Sequence, residues 1–297
     1  MINVKRIGHA SFVTPDIDKQ IDYYRDIVGL YLVDRDKNRA FLGTNSGQLA
    51  VVLEHGPQQA CSRLSFEVSP AVSFADMARK LSALGLKSET KSDDIPGLAN
   101  LLTFHDAKGT LIELFSEPRF VPKGPMVGGA TAIKLGHVAF AVADPKATAD
   151  FYEKVLGFRT SDWIGDFFVF LRCNADHHTI NFIRGANVQM HHIAFELRDA
   201  AHLHNSCDLL GQRRIEIVWG PVRHGPGHNV ATYHLNPDGQ MIEFYAEMDR
   251  MSDEEDGFFD PRPWHRDLPQ RPKVWDPQLQ RDMWGLAPSA KFREHAR

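Results

Sequence analysis

Cysteine is scarce in this chain of 297 residues: Cys61, Cys173 and Cys207 are widely spaced and form no C-x-x-C pair. This argues against both a disulfide framework and a thiolate zinc site, so we expect buried free thiols. No hydrophobic run reaches the roughly 20 residues that a membrane-spanning helix needs. The amino-terminal stretch MINVKRIGHASF lacks the apolar segment of a signal peptide, and we therefore expect a cytoplasmic protein without a membrane partner.

Positive charge is not concentrated anywhere. Lysine and arginine are scattered, and the formal net charge is -4. Nucleic-acid binding depends on clustered basic residues, so we expect no nucleic-acid partner. Histidine, in contrast, is abundant: ten of the 15 histidines lie between His137 and His234. The length suits about two domains, and this enrichment in the second half is the first indication of function.

One strand pattern occurs four times, with a small residue, an apolar residue and phenylalanine at its centre. After the first copy, Asp16 precedes residues at helical spacing; after the third, Asp144 is a helix N-cap followed by Pro145. Both predicted helices end at glycine, Gly29 and Gly157. The four copies are IGHASFVTPD from Ile7, SRLSFEVSP from Ser62, LGHVAFAVAD from Leu135 and HHIAFELRD from His191.

A second pair of segments shows that the halves of the chain are duplicates. KGTLIELF and DGQMIEFY are versions of one strand, with Glu113 and Glu243 at matching positions. The pattern predicts an α+β fold of tandem βαβββ modules, two modules in each of two homologous domains. We place the amino-terminal domain at 1–118, a linker at 119–134, the carboxy-terminal domain at 135–248, and a tail at 249–297 that lies extended over a surface.

The matched strand positions single out candidate metal ligands. When the four strands are aligned on their shared phenylalanine, the position three residues before it holds His9, Arg63, His137 and His192. Successive strand residues point to opposite faces, so we expect His192 to face inward and His191 to face the other way. Together with Glu243, His137 and His192 supply the two imidazoles and one carboxylate that suit iron(II) and leave neighbouring coordination positions open.

The amino-terminal half carries a different trio at the same positions: His9, Arg63 and Glu113. A guanidinium is permanently charged and cannot bind a cation, so we expect Arg63 to pair with Glu113 instead. We therefore predict that the metal is held only by the carboxy-terminal domain.

Four motifs in the second half resemble those of the type I extradiol ring-cleavage dioxygenases, two-domain members of the vicinal oxygen chelate superfamily. They are LGHVAF, NADHHT, MHHIAFE and GPVRHGPGHNVATYHLNPDGQMIEFY, and the likeness covers roughly residues 5–248. It implies iron(II), or alternatively manganese(II), held by His137, His192 and Glu243, with a catechol and O2 as substrates. It also implies a homo-oligomer, a tetramer or larger.

The resemblance further implies roles for three residues beside the metal. His177 matches the histidine on the O2 side that acts as general acid, with His178 as a near alternative. His224 and Tyr233 match the residues that hold the diol oxygens.

One residue expected beside the substrate differs from its counterpart in the branch of the family that cleaves carboxylated catechols. Where that branch has arginine before the Gly-Pro of the RHG motif, this chain has Trp219. An indole offers stacking area and no paired charge, so we expect an apolar or aromatic substituent on the catechol. Two alternatives stay open: Arg262 or Arg271 of the tail supplies a charge, or Phe258, Phe259 and Trp264 form an apolar lid.

Other functions remain open from the sequence. A non-oxygenase member of the superfamily, such as a glyoxalase-like isomerase or an epimerase, uses the same module. Such sites draw a fourth protein ligand and lack the RHG and tyrosine set. A metal-free binding protein of the bleomycin-sequestering type would keep the fold but have no use for metal ligands.

Overall fold

The computed structural model describes residues 1–119, 128–262, 267–278 and 282–295. Two compact units divide the chain near residue 135; the segments Lys154–Gly157 and Asn236–Gly239 group with the first. The first unit contains β1 (Val4–Thr14), α1 (Ile17–Tyr23), β2 (Tyr31–Arg35), β3 (Arg39–Gly43), β4 (Leu49–His55), β5 (Ala60–Val68), α2 (Phe74–Ala83), β6 (Ser88–Ile95), β7 (Leu98–His105) and β8 (Leu111–Phe115).

The second half repeats the same order of elements. It contains β9 (Lys134–Val142), α3 (Pro145–Phe151), β10 (Arg159–Ile164), β11 (Phe168–Arg172), β12 (Ile180–Arg184), β13 (Gln189–Glu196), α4 (Ala200–Gln212), β14 (Ile217–His224), β15 (Val230–Leu235) and β16 (Met241–Ala246). Each half is thus two consecutive βαβββ modules, which confirms the predicted α+β fold.

The tail adds short elements, two of which join the second sheet while two others form a separate two-stranded sheet. These are β17 (Met251–Asp253), β18 (Phe258–Phe259), β19 (Lys273–Trp275), β20 (Asp282–Gly285) and α5 (Ala290–His295). Strand β19 pairs parallel to β10, and β20 pairs antiparallel to β14. The tail therefore continues the sheet at both of its edges.

Each half forms one mixed sheet around its module strands. The first sheet has the order β2-β3-β4-β1-β5-β8-β7-β6, and the second has the order β19-β10-β11-β12-β9-β13-β16-β15-β14-β20. In the second sheet, β9 pairs parallel to β12 and β13 parallel to β16. The buried core of that half lies on these central strands, where Ile193, Phe195 and Phe244 are fully buried.

Local sequence signals explain where the first helix of each half begins and ends. The Asp16 carboxylate accepts the backbone N–H of Lys19, and Asp144 accepts that of Ala147. Gly29 and Gly157 have positive φ angles of 83° and 78°, the left-handed conformation that ends a helix and favours glycine. The sequence did not predict that each helix finishes in a π-helical turn, at Tyr24–Val28 and Tyr152–Leu156.

Parts of two predictions fall outside the described residues. The predicted linker at 119–134 includes 120–127, and the predicted lid includes Trp264. None of the described helices has the length and hydrophobicity required to cross a membrane.

Candidate metal centre

Three neighbouring strands at the centre of the second sheet bring the predicted ligands together. His137 lies on β9, His192 on β13 and Glu243 on β16. The Nε2 atom of His137 is 3.1 Å from Oε2 of Glu243 and 3.3 Å from Nε2 of His192. The remaining distance, from His192 Nε2 to Glu243 Oε2, is 3.2 Å. Two imidazole nitrogens and one carboxylate oxygen therefore converge on one point.

This donor set fits a divalent cation. Two imidazole nitrogens and one carboxylate oxygen that lie 3.1 to 3.3 Å apart could all bind one first-row divalent ion. Burial lowers the pKa of His137, which keeps its ring neutral and its lone pair available. Burial alone would raise the pKa of Glu243, but His137 and His192 lower it well below its usual value. Neutral imidazoles and an ionised carboxylate are the forms that bind metal.

Asn229 and His191 form hydrogen bonds with two of the ligands. The Asn229 amide donates to Oε1 of Glu243 over 3.1 Å, leaving Oε2 directed at the two histidines. The Nδ1 atoms of His191 and His192 are 2.7 Å apart. Because a ligating imidazole keeps its proton on the other nitrogen, His192 would donate this bond and His191 would accept it.

The predicted orientation of His191 was wrong. His191 does not face away from His192: it is buried and lines the same cavity. The ladder between β13 and β16 begins only at Ile193. The contact between the two Nδ1 atoms shows that strict alternation does not hold at His191.

The equivalent position in the amino-terminal half is filled by an ion-paired cluster. His9 Nε2 lies 3.0 Å from Glu113 Oε2, and an Arg63 Nη1 lies 3.4 Å from the other carboxylate oxygen. The predicted pairing of Arg63 with Glu113 is therefore observed. The guanidinium also contacts Glu54 at 2.7 Å.

A cavity of about 610 Å³ opens onto the three convergent ligands. Its polar end is formed by the ligands and by His178, His224 and Tyr233. The rest of its wall is mainly apolar and includes Ile164, Phe168, Phe170, Ile183, Leu286 and Phe292.

On one side of the ligands, His224 and Tyr233 form the pair that was predicted to hold the diol. His224 Nε2 is 2.9 Å from the Tyr233 hydroxyl, and His224 Nδ1 is 2.9 Å from the carboxylate of Asp282 on β20. The carboxylate only accepts, so His224 carries a proton on Nδ1 and accepts at Nε2. Burial and Glu243 raise the pKa of Tyr233 well above 10, so its hydroxyl is a donor.

On the other side, the structure places His178 at the cavity rather than the predicted His177. The His178 ring lies 4.3 Å from that of His137, measured between centroids, and it lines the cavity. His177 lies behind it, with Nε2 3.1 Å from Asp162. The two adjacent histidines follow a turn before β12, and spacing from His192 does not distinguish them. Burial lowers the pKa of His178 well below 6.5, and His137 and His177 lower it further.

Trp219 lies on the cavity wall, as the sequence predicted. Its ring stacks on Tyr233 with centroids 5.0 Å apart and an interplanar angle of 16°. The indole N–H donates to the Leu286 carbonyl over 2.9 Å. Phe292 of α5 packs edge-on against the same indole, at 4.6 Å between centroids.

Other tail residues were predicted to supply a charge or an apolar lid at the cavity. Arg271 lies over the ring of Phe258, and Arg262 donates to the Met248 carbonyl; neither is among the residues described around the cavity. Phe259 packs against His177. Among the described residues, the tail reaches the cavity instead through Asp282, Gly285–Pro288, Phe292 and Arg293.

Sequence reasoning missed Asn229, Asp282 and Asp162. Asn229 lies in the quoted RHG motif, so its place five residues after His224 was a usable signal. Asp282 reaches the site through the pairing of β20 with β14, and Asp162 contacts His177 from β10. No pattern in the chain points to either residue.

Comparison with known proteins agrees with this geometry. A family model described as Glyoxalase/Bleomycin resistance protein/Dioxygenase superfamily matches residues 6–114 and 134–244. Metapyrocatechase of Pseudomonas sp. (strain CF600) is 24% identical over 264 residues, covering 82% of this chain and 86% of that protein. Biphenyl-2,3-diol 1,2-dioxygenase of Sphingomonas paucimobilis is 26% identical over 271 residues, covering 82% and 88%.

Among solved structures, the Mn(II)-bound glyoxalase from Novosphingobium aromaticivorans superposes with a TM-score of 0.84. It is 25% identical, with 98% of this chain and 94% of that chain covered. The family match spans both duplicated halves of the chain. The chain belongs to the Glyoxalase/Bleomycin resistance protein/Dioxygenase superfamily.

Proposed function

We propose that this protein is an extradiol ring-cleavage dioxygenase that opens a catechol with O2 at a single iron(II) ion. The observation that carries the proposal is the convergence of His137, His192 and Glu243 at the end of a cavity whose flanks hold His178 and the His224–Tyr233 pair. Relatives named metapyrocatechase and biphenyl-2,3-diol 1,2-dioxygenase support the same reaction.

The ligand set suits the charge of the substrate. His137, His192 and Glu243 would hold iron(II), which would bring an aromatic diol and triplet dioxygen together for reaction. Two neutral histidines and one carboxylate leave one positive charge on a divalent ion, which favours binding of the diol as a monoanion. The same donors accept manganese(II), and the Mn(II)-bound neighbour supports that alternative.

The His224–Tyr233 pair would hold the diol oxygens. Asp282 keeps the His224 proton on Nδ1, so Nε2 is an acceptor for a diol hydroxyl. The Tyr233 hydroxyl, whose pKa is raised, donates to an oxygen that has lost its proton. Together they orient the ring and select the site of the first deprotonation.

His178, on the opposite flank, would be the acid–base residue of the reaction. Its ring is neutral and sits beside His137 at the cavity surface. A neutral imidazole accepts the second diol proton and can return a proton to an oxygen of the product. We therefore assign to His178 the role that the sequence predicted for His177.

The cavity wall favours a catechol with an apolar or aryl substituent. A volume of about 610 Å³ lies in the range of pockets that bind ligands of more than one ring. Trp219 offers aromatic surface at the position where the branch that cleaves carboxylated catechols has arginine, and Phe292 packs against it. We further propose that the enzyme works in the cytoplasm. We also propose that it is a homo-oligomer, a tetramer or larger, and analytical ultracentrifugation measures this oligomeric state directly.

One observation favours a second candidate. The neighbour with the TM-score of 0.84 is described as a glyoxalase, so a metal-dependent isomerase of the same fold is the alternative. Such an enzyme converts its substrate without consuming O2. The catechol-side pair of His224 and Tyr233 favours the dioxygenase.

The test is anaerobic loading with Fe(II) or Mn(II), followed by O2 and a panel of catechol and 3- or 4-substituted catechols. We expect O2 uptake and a yellow ring-cleavage product with at least one member of the panel. The duplicated chain supplies a matched pair of variants: His137→Gln should lose metal and activity, whereas His9→Gln should keep both. No O2 uptake by metal-loaded protein across the panel would refute the proposal.

A further inference from the structure

Behind the proposed acid–base residue runs a buried line of three polar side chains: Asp162, His177 and His178. The two Nδ1 atoms of the histidines are 3.0 Å apart, and Nε2 of His177 is 3.1 Å from an Asp162 oxygen. Asp162, His177 and His178 are exposed by only 3%, 1% and 4%. Neither Asp162 nor His177 lines the cavity, so contact with substrate does not explain their placement.

The tail holds the far end of this line in place. The backbone N–H of Lys273 donates to one oxygen of Asp162 over 2.9 Å, and the Trp275 indole N–H donates to the other over 2.7 Å. Both groups can only donate hydrogen bonds. The oxygens of Asp162 therefore act as acceptors, and the remaining contact must be an N–H of His177 directed at the carboxylate.

The donor in the hydrogen bond between His177 and His178 follows from the bond to Asp162. If His177 carries its proton on Nε2, its Nδ1 is a lone pair that accepts from His178. The proton of neutral His178 is thereby fixed on Nδ1. Its Nε2, the nitrogen that does not bond to His177, is left as an unprotonated acceptor.

We infer that Asp162 and His177 are positioning residues, which fix the tautomer of His178 so that it meets the substrate as a base. This inference rests on the proposed function. In the proton transfer, a diol O–H bond breaks, its electron pair stays on oxygen, and an N–H bond forms at Nε2 of His178. The imidazolium charge is offset by Asp162 through His177, and the same proton later returns from Nε2 to an oxygen of the product.

Two substitutions of His177 distinguish a residue that orients His178 from one that only packs against its neighbours. In His177→Gln, the amide N–H donates to Asp162 and the amide oxygen accepts from His178; the carboxylate fixes this orientation, so the line is rebuilt. In His177→Phe, the ring fills the space but neither bond forms. The matched control is Asp166→Asn, which lies in the exposed turn between β10, the strand of Asp162, and β11. We expect this variant to have unchanged activity.

The first readout does not depend on activity. In 15N NMR spectra of zinc-loaded protein, with the His178 signals identified by their loss in His178→Gln, we expect the proton on Nδ1 in the unchanged chain and in His177→Gln. In His177→Phe, we expect a shift toward the other tautomer. A proton on Nε2 of His178 in the unchanged chain would overturn the inference even if the dioxygenase reaction is observed.

The second readout is kinetic, on iron-loaded protein. We expect kcat to fall on the order of 10- to 100-fold in His177→Phe, with KM and metal content little changed, and His177→Gln to recover most of that loss. Equal kcat in the Phe and Gln variants contradicts the inference. Absence of turnover in the unchanged chain would instead count against the proposed function, while the NMR result still decides the tautomer.

Discussion

His228 should make the stability of the carboxy-terminal half depend on pH. Its ring lies between two carboxylates: Nδ1 is 2.5 Å from Asp249, and Nε2 is 3.1 Å from Asp267 of the tail. The side chain is 2% exposed. Burial lowers the pKa of His228, but the hydrogen bonds and charges of Asp249 and Asp267 outweigh it and raise the pKa to about 9.

The size and direction of the effect follow from this shift. A pKa raised from 6.5 to about 9 corresponds to about 3 kcal/mol of stabilisation by the charged ring. Because the folded-state pKa is the higher one, that stabilisation is complete below about pH 6.5. It declines as the pH rises and is gone above about pH 9, when the folded protein has also lost the proton.

The assay is urea unfolding of metal-free protein between pH 6.5 and 9.5, in the unchanged chain and in His228→Gln. We expect the free-energy difference between the two proteins to shrink by about 3 kcal/mol over this range. His234→Gln is the matched control, since burial lowers the pKa of His234 to about 3 and it stays neutral throughout. An equal pH dependence in the unchanged chain and in His228→Gln would refute the argument.

Three further predictions concern the site. His192→Ala should abolish metal binding, whereas His191→Ala should retain it with Kd raised about 10- to 100-fold; equal metal content for the two variants in metal-limited titrations would contradict their separate roles. Asn229→Ala should weaken metal binding by a similar factor, because Glu243 loses the donor on Oε1; an unchanged Kd would disprove this. Trp219→Ala should raise KM about tenfold for an aryl-substituted catechol and less for catechol itself, since aromatic contacts are worth about 1 kcal/mol or more; steady-state kinetics that show equal changes would count against the stacking wall.

Much of the fold and the ligand set could be predicted because the chain is duplicated. Matching LGHVAF to MHHIAFE selected His192 from an adjacent pair of histidines. Matching SRLSFE to the same strand showed that Arg63 stands where a ligand would be, so that the first half is not expected to bind metal. Helix boundaries followed from Asp16, Asp144 and the two glycines, because N-caps and left-handed ends are local properties of the backbone. The internal repeat and the local helix-capping signals were therefore sufficient to predict the central strands and the metal ligands that they carry.

What the sequence did not predict depends on contacts between distant segments. His177 and His178 are adjacent in the chain, and in the structure His177 contacts Asp162 whereas His178 lines the cavity. Asp282 and Trp275 belong to tail strands that carry no repeat. Their roles come from pairing with β14 and β10, which no spacing in the chain records. His191 departed from strand alternation, and its ring contacts that of His192.

The most direct test of the account is a single-turnover reaction of iron-loaded protein with a cleavable catechol under 18O2. The account predicts that one O2 is consumed for each ring opened, and that both heavy oxygen atoms appear in a product cleaved beside the diol. Conversion of the substrate without O2 uptake, or cleavage between the two hydroxyl-bearing carbons, would contradict it.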